Sequence, residues 1–176
     1  MSGQPFVSIG PGSFTGLRIG LSMAKGFALA TGLPMIGVPT LEAYAHAIGR
    51  RCGLVCPVLD ARKKEIYGAG FRWTGEGLFQ VRGATVLSPR SFAEQISEPC
   101  TLVGEGVDEY EPIWRASLGD RAALIHSGDC PPRGTSVATI GQQLLETKGA
   151  DDPTEIVPVY LRKSEAEIGR EMRSNR

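Results

Sequence analysis

A glycine-rich turn, Gly10-Pro11-Gly12-Ser13-Phe14-Thr15-Gly16, stands ahead of a helix-forming stretch. Backbone amides at such a helix start suit an anion, so phosphate binding is the first chemistry to weigh. The spacing fits neither the dinucleotide glycines nor a Walker loop, and Leu17-Arg18 stands where Lys-Ser or Lys-Thr would be needed. Ser13 is no nucleophile elbow either, because Pro11 and Thr15 occupy the flanking positions that require glycine. A second group, Asp60-Ala61-Arg62-Lys63-Lys64-Glu65, sets two carboxylates and three cations between two β-prone runs. Asp60 at a strand end could hold a magnesium–phosphate group. It could equally cap a turn with a solvated basic tip, the preferred reading. His46 and His126 lie far apart and form no paired-His metal motif, so each reads as a surface or packing residue. Glu105 and Asp108 read as loop residues with no partner that marks them as catalytic. Cys52 and Cys56 are separated by three residues rather than the two of a zinc or redox pair. With Cys100 and Cys130 they read as reduced, mostly buried thiols.

The helix behind the glycine turn is more informative than the turn. On a helical wheel Arg18, Ser22 and Lys25 form one narrow polar strip. Leu17 and Leu21 lie to one side of it, and Ile19, Met23 and Ala30 to the other. Gly16, Gly20, Ala24 and Ala28 recur every fourth residue and make a surface with almost no side chain. A glycine inside a helix costs about 1 kcal/mol against alanine, so something must offset it. Close approach of another helix would do so. Packing on the protein's own sheet accounts for one face at most, whereas a helix apolar around most of its circumference wants cover on both sides. Partner docking is therefore the expectation for this helix.

The elements that position these residues follow from pattern and punctuation. Phe6–Ile9 predicts a strand, and Ser13 or Thr15 caps a helix that runs to about Thr31 and stops at Gly32. Met35–Val38 predicts a second buried strand, and a second helix follows from Pro39-Thr40 to near Gly49. That order suggests parallel strands with crossover helices. Beyond Gly53, strands are predicted at 54–59 and 66–73 around the charged tip, with a third at 78–87. Ser88-Pro89 opens a helix through Phe92 and Ile96, and strands follow at 101–103 and 122–125. Thr135-Ser136 caps a last helix through Val137, Ile140, Leu144 and Leu145. The expected organisation is an incomplete α/β unit at 1–52, a fuller α/β unit at 53–162 and a charged tail at 163–176. Two strands alone leave much of a sheet edge and face uncovered, so the first unit lacks something.

Composition sets the outer bounds. The chain has 176 residues, 41% of them apolar and 22% charged, with nineteen basic residues balancing nineteen acidic ones. That length and balance suit a globular protein with its own core. A net charge of zero argues against a protein that holds nucleic acid unaided. No apolar run reaches the ~18 residues of a membrane span. The first residues lack the pattern of a signal peptide, so a cytoplasmic location is expected.

The stretch Ile9 to Gly20, continuing through Ala24-Lys25-Gly26, Pro34–Val38 and Thr40-Leu41-Glu42, closely resembles the TsaB family. That bacterial family serves tRNA threonylcarbamoyladenosine biosynthesis and was once grouped with glycoproteases. Asp60-Ala61-Arg62, Glu65-Ile66-Tyr67 and Pro158–Arg162 are similar to its second-domain hairpin and tail, so the likeness spans about 6–162. It implies an actin-like, ribonuclease-H-like (ASKHA) α/β fold of two domains, here with the first incomplete. It also implies a subunit with no catalytic centre of its own, paired with a TsaD-like catalytic subunit and a TsaE-like ATPase. Together these act on adenosine 37 of tRNA, which this subunit would meet only indirectly. The pairing helices correspond to 16–30 and 41–50, which nominates Gly16, Ile19, Gly20, Met23, Ala24, Phe27 and Tyr44 as partner-interface residues. Gly12, Ser13, Asp60 and Arg62 are the candidates for nucleotide or phosphate contact. No metal site and no tightly bound cofactor are implied, with ATP or ADP and magnesium at the complex interface as the candidate ligands. Family members carry a β-hairpin, a third strand and a helix before the strand that here is 6–9. Self-association through that strand's exposed edge, giving a homodimer in isolation, or local disorder there, is the expectation. The competing activities are a peptidase, which needs a metal or activated nucleophile, and a phosphotransferase, which needs paired phosphate loops and a catalytic Asp.

Overall fold

Ser13 and Gly32 bound the first helix. In the computed structural model, which describes residues 3–162, helix α1 spans Phe14–Thr31. The Ser13 Oγ accepts from the Gly16 amide at 3.3 Å, and Gly32, left-handed at φ 70°, closes the helix by donating to the Ala28 carbonyl at 2.9 Å. Strand β1 (Phe6–Gly10) precedes it and pairs in parallel with β2 (Ile36–Pro39), Phe6 opposite Ile36 and Ser8 opposite Val38. Helix α2 (Thr40–Ala47) follows at once.

Next come β3 (Leu54–Asp60), β4 (Ile66–Trp73), β5 (Leu78–Leu87), helix α3 (Pro89–Glu94), β6 (Cys100–Val103), helix α4 (Glu105–Leu118), β7 (Ala122–Ile125) and helix α5 (Arg133–Lys148). The second sheet runs β5-β4-β3-β6-β7, with an antiparallel β3–β4–β5 meander joined to parallel β3, β6 and β7. Its buried β3 reads Leu-Val-Cys-Pro-Val-Leu-Asp without polar alternation, as a strand covered on both faces must. One face carries α3 and α4 through Phe92, Val107, Trp114 and Leu118. The other carries α2 through Leu41, Tyr44, Ala45 and Ile48.

Two departures from the sequence reading concern packing rather than strand placement. Residues 105–118 form helix α4, not a loop. Val107, Trp114 and Leu118 are buried at helical spacing, Trp114 Nε1 donates to the Gly106 carbonyl at 2.8 Å, and Tyr110 (φ −123°, ψ 22°) marks a kink. Pro112 follows that kink in the first turn of the second segment, where a missing amide proton costs least. Gly104, at φ 113°, makes the turn into α4, and a Cβ there would lie 2.6 Å from the Val58 carbonyl oxygen.

The second departure is α5. It begins at Arg133, so Thr135 and Ser136 lie inside the helix instead of capping it. Its apolar side (Val137, Ile140, Leu144, Leu145) packs on Phe6, Ile36, Val38 and Ala43, so this late helix covers the first sheet. The physical reason is that the central strands of the five-stranded sheet are already covered by α3 and α4 on one face and α2 on the other. Asp151 then seals the outer edge of β2: its amide donates to Met35 O at 2.9 Å, and its carboxylate accepts from Gly37 N at 2.8 Å. The face expected to be bare is thus covered, and Phe6–Gly10 forms strand β1. On its side away from β2, no strand of the described residues pairs with β1. The charged tail at 163–176 lies outside the described residues.

Candidate partner-docking surface

One side of α1 belongs to the core. Leu21 and Ala28 are buried with Met35, while Ala24, Val7, Ile9 and Ile156 pack around them. The opposite side carries Ile19, Met23 and Phe27, exposed at 56%, 71% and 48%. Gly20 and Gly26 share the helix with them, and a Cβ built on either would meet nothing within 4 Å. Gly16 would meet only the Ser13 side chain of its own cap. Among the described residues, the glycines therefore make room for nothing. Three large apolar side chains at i, i+4 and i+8, flanked by bare backbone, form the ridge and groove that a second helix needs.

The nominated interface residues divide on this geometry. Gly16, Ile19, Gly20, Met23 and Phe27 lie on the open side. Ala24 is half-buried in the core beneath α1. The every-fourth-residue stripe drifts about 40° per step, so it begins on the open side at Gly16 and ends in the core at Ala28. Tyr44 is corrected outright: it is 5% exposed, sits in the core under the five-stranded sheet, and carries the Arg133 guanidinium 4.7 Å above its ring. Helix α2 as a whole lies between the second sheet and α5, so it offers no outer face comparable to that of α1.

Of the phosphate candidates, Ser13, Asp60 and Arg62 are engaged in local structure, while a Cβ built on Gly12 would meet nothing within 4 Å. Ser13 caps α1. Asp60 Oδ1 accepts from the Arg62 amide at 2.8 Å and from Tyr110 Oη at 3.3 Å, while Oδ2 pairs with Arg62 Nη1 at 3.1 Å. These bonds make Asp60 a turn cap. Arg62, Lys63 and Lys64 adopt φ of 62°, 55° and 62°, three consecutive left-handed residues without a glycine among them. Such backbone is costly and persists only where neighbours over-determine it. Here Glu65 N donates to Arg62 O, and Ala61 N to Glu65 O, each at 3.0 Å.

The remaining candidates also find partners. His46 Nδ1 lies 3.1 Å from Ser136 Oγ, and burial lowers its pKa. His126 Nδ1 lies 2.7 Å from Asp108 Oδ1, so Asp108, read with Glu105 as a loop residue, sits on α4 and meets the residue that follows β7. Bonds from Ser127, then from His126, hold the Asp108 carboxyl below its ordinary range. Burial raises the Cys100 thiol to about 11 and drives Cys56 higher still, while Cys52 is exposed. Among the described residues, no three His, Cys, Asp or Glu side chains gather to hold a metal ion. None of the described helices is long and apolar enough to cross a membrane.

Sequence reasoning missed one cluster. Phe14 and Tyr160 stack with ring centroids 5.1 Å apart, the Arg18 guanidinium lies 4.1 Å over the Phe14 ring, and Arg18 Nε donates to Tyr160 Oη at 3.1 Å. The segment bearing Tyr160 straps the molecule together. Val159 N donates to Ile9 O at 2.7 Å, and Arg162 Nη1 reaches Ala61 O and Glu65 Oε2, each at 3.3 Å. Residues 18 and 160 are 142 positions apart, and no local pattern could have joined them.

A two-stranded parallel unit and a mixed five-stranded sheet, each with helices packed on its faces, define an α/β protein of the actin-like (ASKHA) type. Solved structures share this fold. A Pseudomonas aeruginosa protein with similarity to the peptidase YeaZ superposes with a TM-score of 0.71 at 21% identity, over 89% of this chain and 74% of that one. YeaZ from the same organism gives 0.68 at 23% identity, over 86% and 71%. The family model described as TsaD, tRNA N6-adenosine threonylcarbamoyltransferase, matches residues 6–170. The tRNA threonylcarbamoyladenosine biosynthesis protein TsaB of Bacillus subtilis is 32% identical over 92% of this chain and 70% of its own length. Its Escherichia coli namesake is 34% identical over 89% and 69%. The chain belongs to the TsaB family.

Proposed function

We propose that this chain acts in tRNA threonylcarbamoyladenosine biosynthesis as a non-catalytic subunit that docks a TsaD-like catalytic subunit through the open side of α1, with a TsaE-like ATPase completing the complex. The names of its relatives support the pathway. The observation that supports the mechanism is the empty space over Gly20 and Gly26, beside exposed Ile19, Met23 and Phe27. A helix whose glycines meet nothing among the described residues suits a close neighbour that packs on its open side. A peptidase or phosphotransferase reading has less behind it, since Asp60 is already held by Arg62 and Tyr110.

The test is co-purification of the full chain with the catalytic subunit of the same organism. Wild type should be retained. Gly20→Trp should abolish retention while leaving the fold intact, because the new side chain projects into solvent. Retention of Gly20→Trp at wild-type affinity would contradict the proposal.

A further inference from the structure

The strap that crosses the molecule after Ile156 is held by contacts that are each weak. No helix or strand includes residues 156–162, and Val157, Val159 and Tyr160 are all exposed. At one end the strap meets the first sheet and α1. Val159 N donates to Ile9 O, Tyr160 stacks on Phe14, and Arg18 Nε donates to Tyr160 Oη. Gly10 is shaped for this approach. It stands at φ 114°, and a Cβ on it would lie 2.7 Å from the Val159 carbonyl oxygen. The first glycine of a turn that suggests a phosphate cradle thus receives the chain's own backbone.

At the other end Arg162 Nη1 meets Ala61 O and Glu65 Oε2. Those two residues bracket Arg62, Lys63 and Lys64, whose left-handed backbone costs free energy to hold. The bonds from Glu65 N to Arg62 O and from Ala61 N to Glu65 O are internal to the turn, so they restrain it only against itself. Among the described residues, restraint from outside includes Tyr110 on Asp60 and Arg162 on Ala61 and Glu65. An exposed ion pair alone holds little. Val159 and Arg162 are three peptide steps apart, a reach of no more than about 11 Å, so the seat on Ile9 places the backbone from which Arg162 extends. We infer that residues 156–162 form a conformational latch that opens and closes as one unit, holds the 61–65 turn in its left-handed form, and ties the placement of that turn's three cations to the glycine turn and α1. In the open state the strap leaves both seats together, and the turn relaxes toward right-handed backbone. Tyr160 and Arg162 are the positioning residues, one for each seat.

The experiment is residue-resolved hydrogen exchange of the full chain by NMR, on wild type at low salt and at about 1 M salt, and on Tyr160→Ala and Arg162→Gln. The stack and bond of Tyr160 are to residues of α1, so a purely local role would quicken Val159 alone. The latch instead predicts that Tyr160→Ala quickens the amides of Val159, Ala61 and Glu65 by one common factor of at least about ten. Arg162→Gln should likewise quicken all three by a single factor, because the coupling is reciprocal. The Leu54 amide, bonded to Pro99 O beside the five-stranded sheet, should keep its wild-type rate and so report an intact fold. Salt needs no variant: screening the Arg162–Glu65 pair in wild type should quicken the three amides together. If Tyr160→Ala quickens Val159 while Ala61 and Glu65 keep their rates, or Arg162→Gln quickens the turn alone, the seats open separately and the latch is overturned. Should a variant quicken Leu54 as well, the salt series on wild type decides. A common factor at the three amides supports the latch, whereas no response, or a turn that quickens without Val159, contradicts it.

Discussion

At the scale of single residues, the fold decides which groups can react. Cys56 and Cys100 lie on neighbouring strands inside the five-stranded sheet, and burial makes both thiols poor nucleophiles. A thiol reagent added to native protein should therefore label Cys52 first, with Cys56 and Cys100 reached only on unfolding; mass mapping of labelled peptides would show the order. Rapid native labelling of Cys100 would contradict the packing. His46 makes a second prediction. Burial lowers its pKa, so the folded state resists a proton that the unfolded chain accepts near the ordinary value of 6.5. Its contribution is present above that value and lost as pH falls below it. The depressed carboxyls Asp108 and Asp151 extend the loss below their unfolded value of 3.8. Denaturation midpoints measured across pH should fall in the range just under 6.5, and His46→Gln should flatten that part of the profile. The sequence offered no partner for either histidine. Their actual partners, Ser136 and Asp108, come from distant elements.

Helix α1 was the most legible element, because its start, stop and apolar arc are all local. Ser13, Gly32 and Pro34 mark its limits, and its exposed ridge follows from spacing. The stripe of small residues was only half-legible, since a four-residue repeat rotates around a helix of 3.6 residues per turn. Helix α4 was missed because Gly106 and Pro112 resemble loop punctuation. The spacing of Val107, Tyr110, Trp114 and Leu118 was the signal available. The glycines separate by what surrounds them, which gives a stability test. Gly20→Ala and Gly26→Ala meet open space and should each stabilise the isolated chain by about 0.5–1 kcal/mol in urea titrations. Gly37→Ala should destabilise it, because a Cβ there would lie 2.6 Å from side-chain atoms of Ile9 and of Ile156. A destabilised Gly20→Ala would mean that α1 has an internal neighbour after all.

Over the whole molecule, the strand order along the chain was readable while the assignment of α5 was not. An amphipathic helix announces that it needs a sheet, not which one. Here α5 returns to β1 and β2, and the strap from Ile156 to Arg162 carries the chain from α1 to the Asp60–Glu65 turn. The deficit seen in the first sheet persists at one edge. A groove of about 400 Å³ runs along β1 beside the start of α5, lined by Phe6, Ser8, Arg133 and Val137 among others. An unpaired strand edge of this kind favours pairing between copies. Light scattering should show a concentration-dependent dimer, and Ser8→Pro, which removes an edge amide, should shift it toward monomer; a monodisperse monomer at high concentration would contradict it. The proposed subunit contact lies elsewhere, on α1. It is tested most directly by hydrogen exchange of the full chain with and without the TsaD-like catalytic subunit. Slowed exchange concentrated on residues 16–30 in the complex is the predicted result. A stable complex that leaves the α1 amides exchanging as in the free chain would contradict the account.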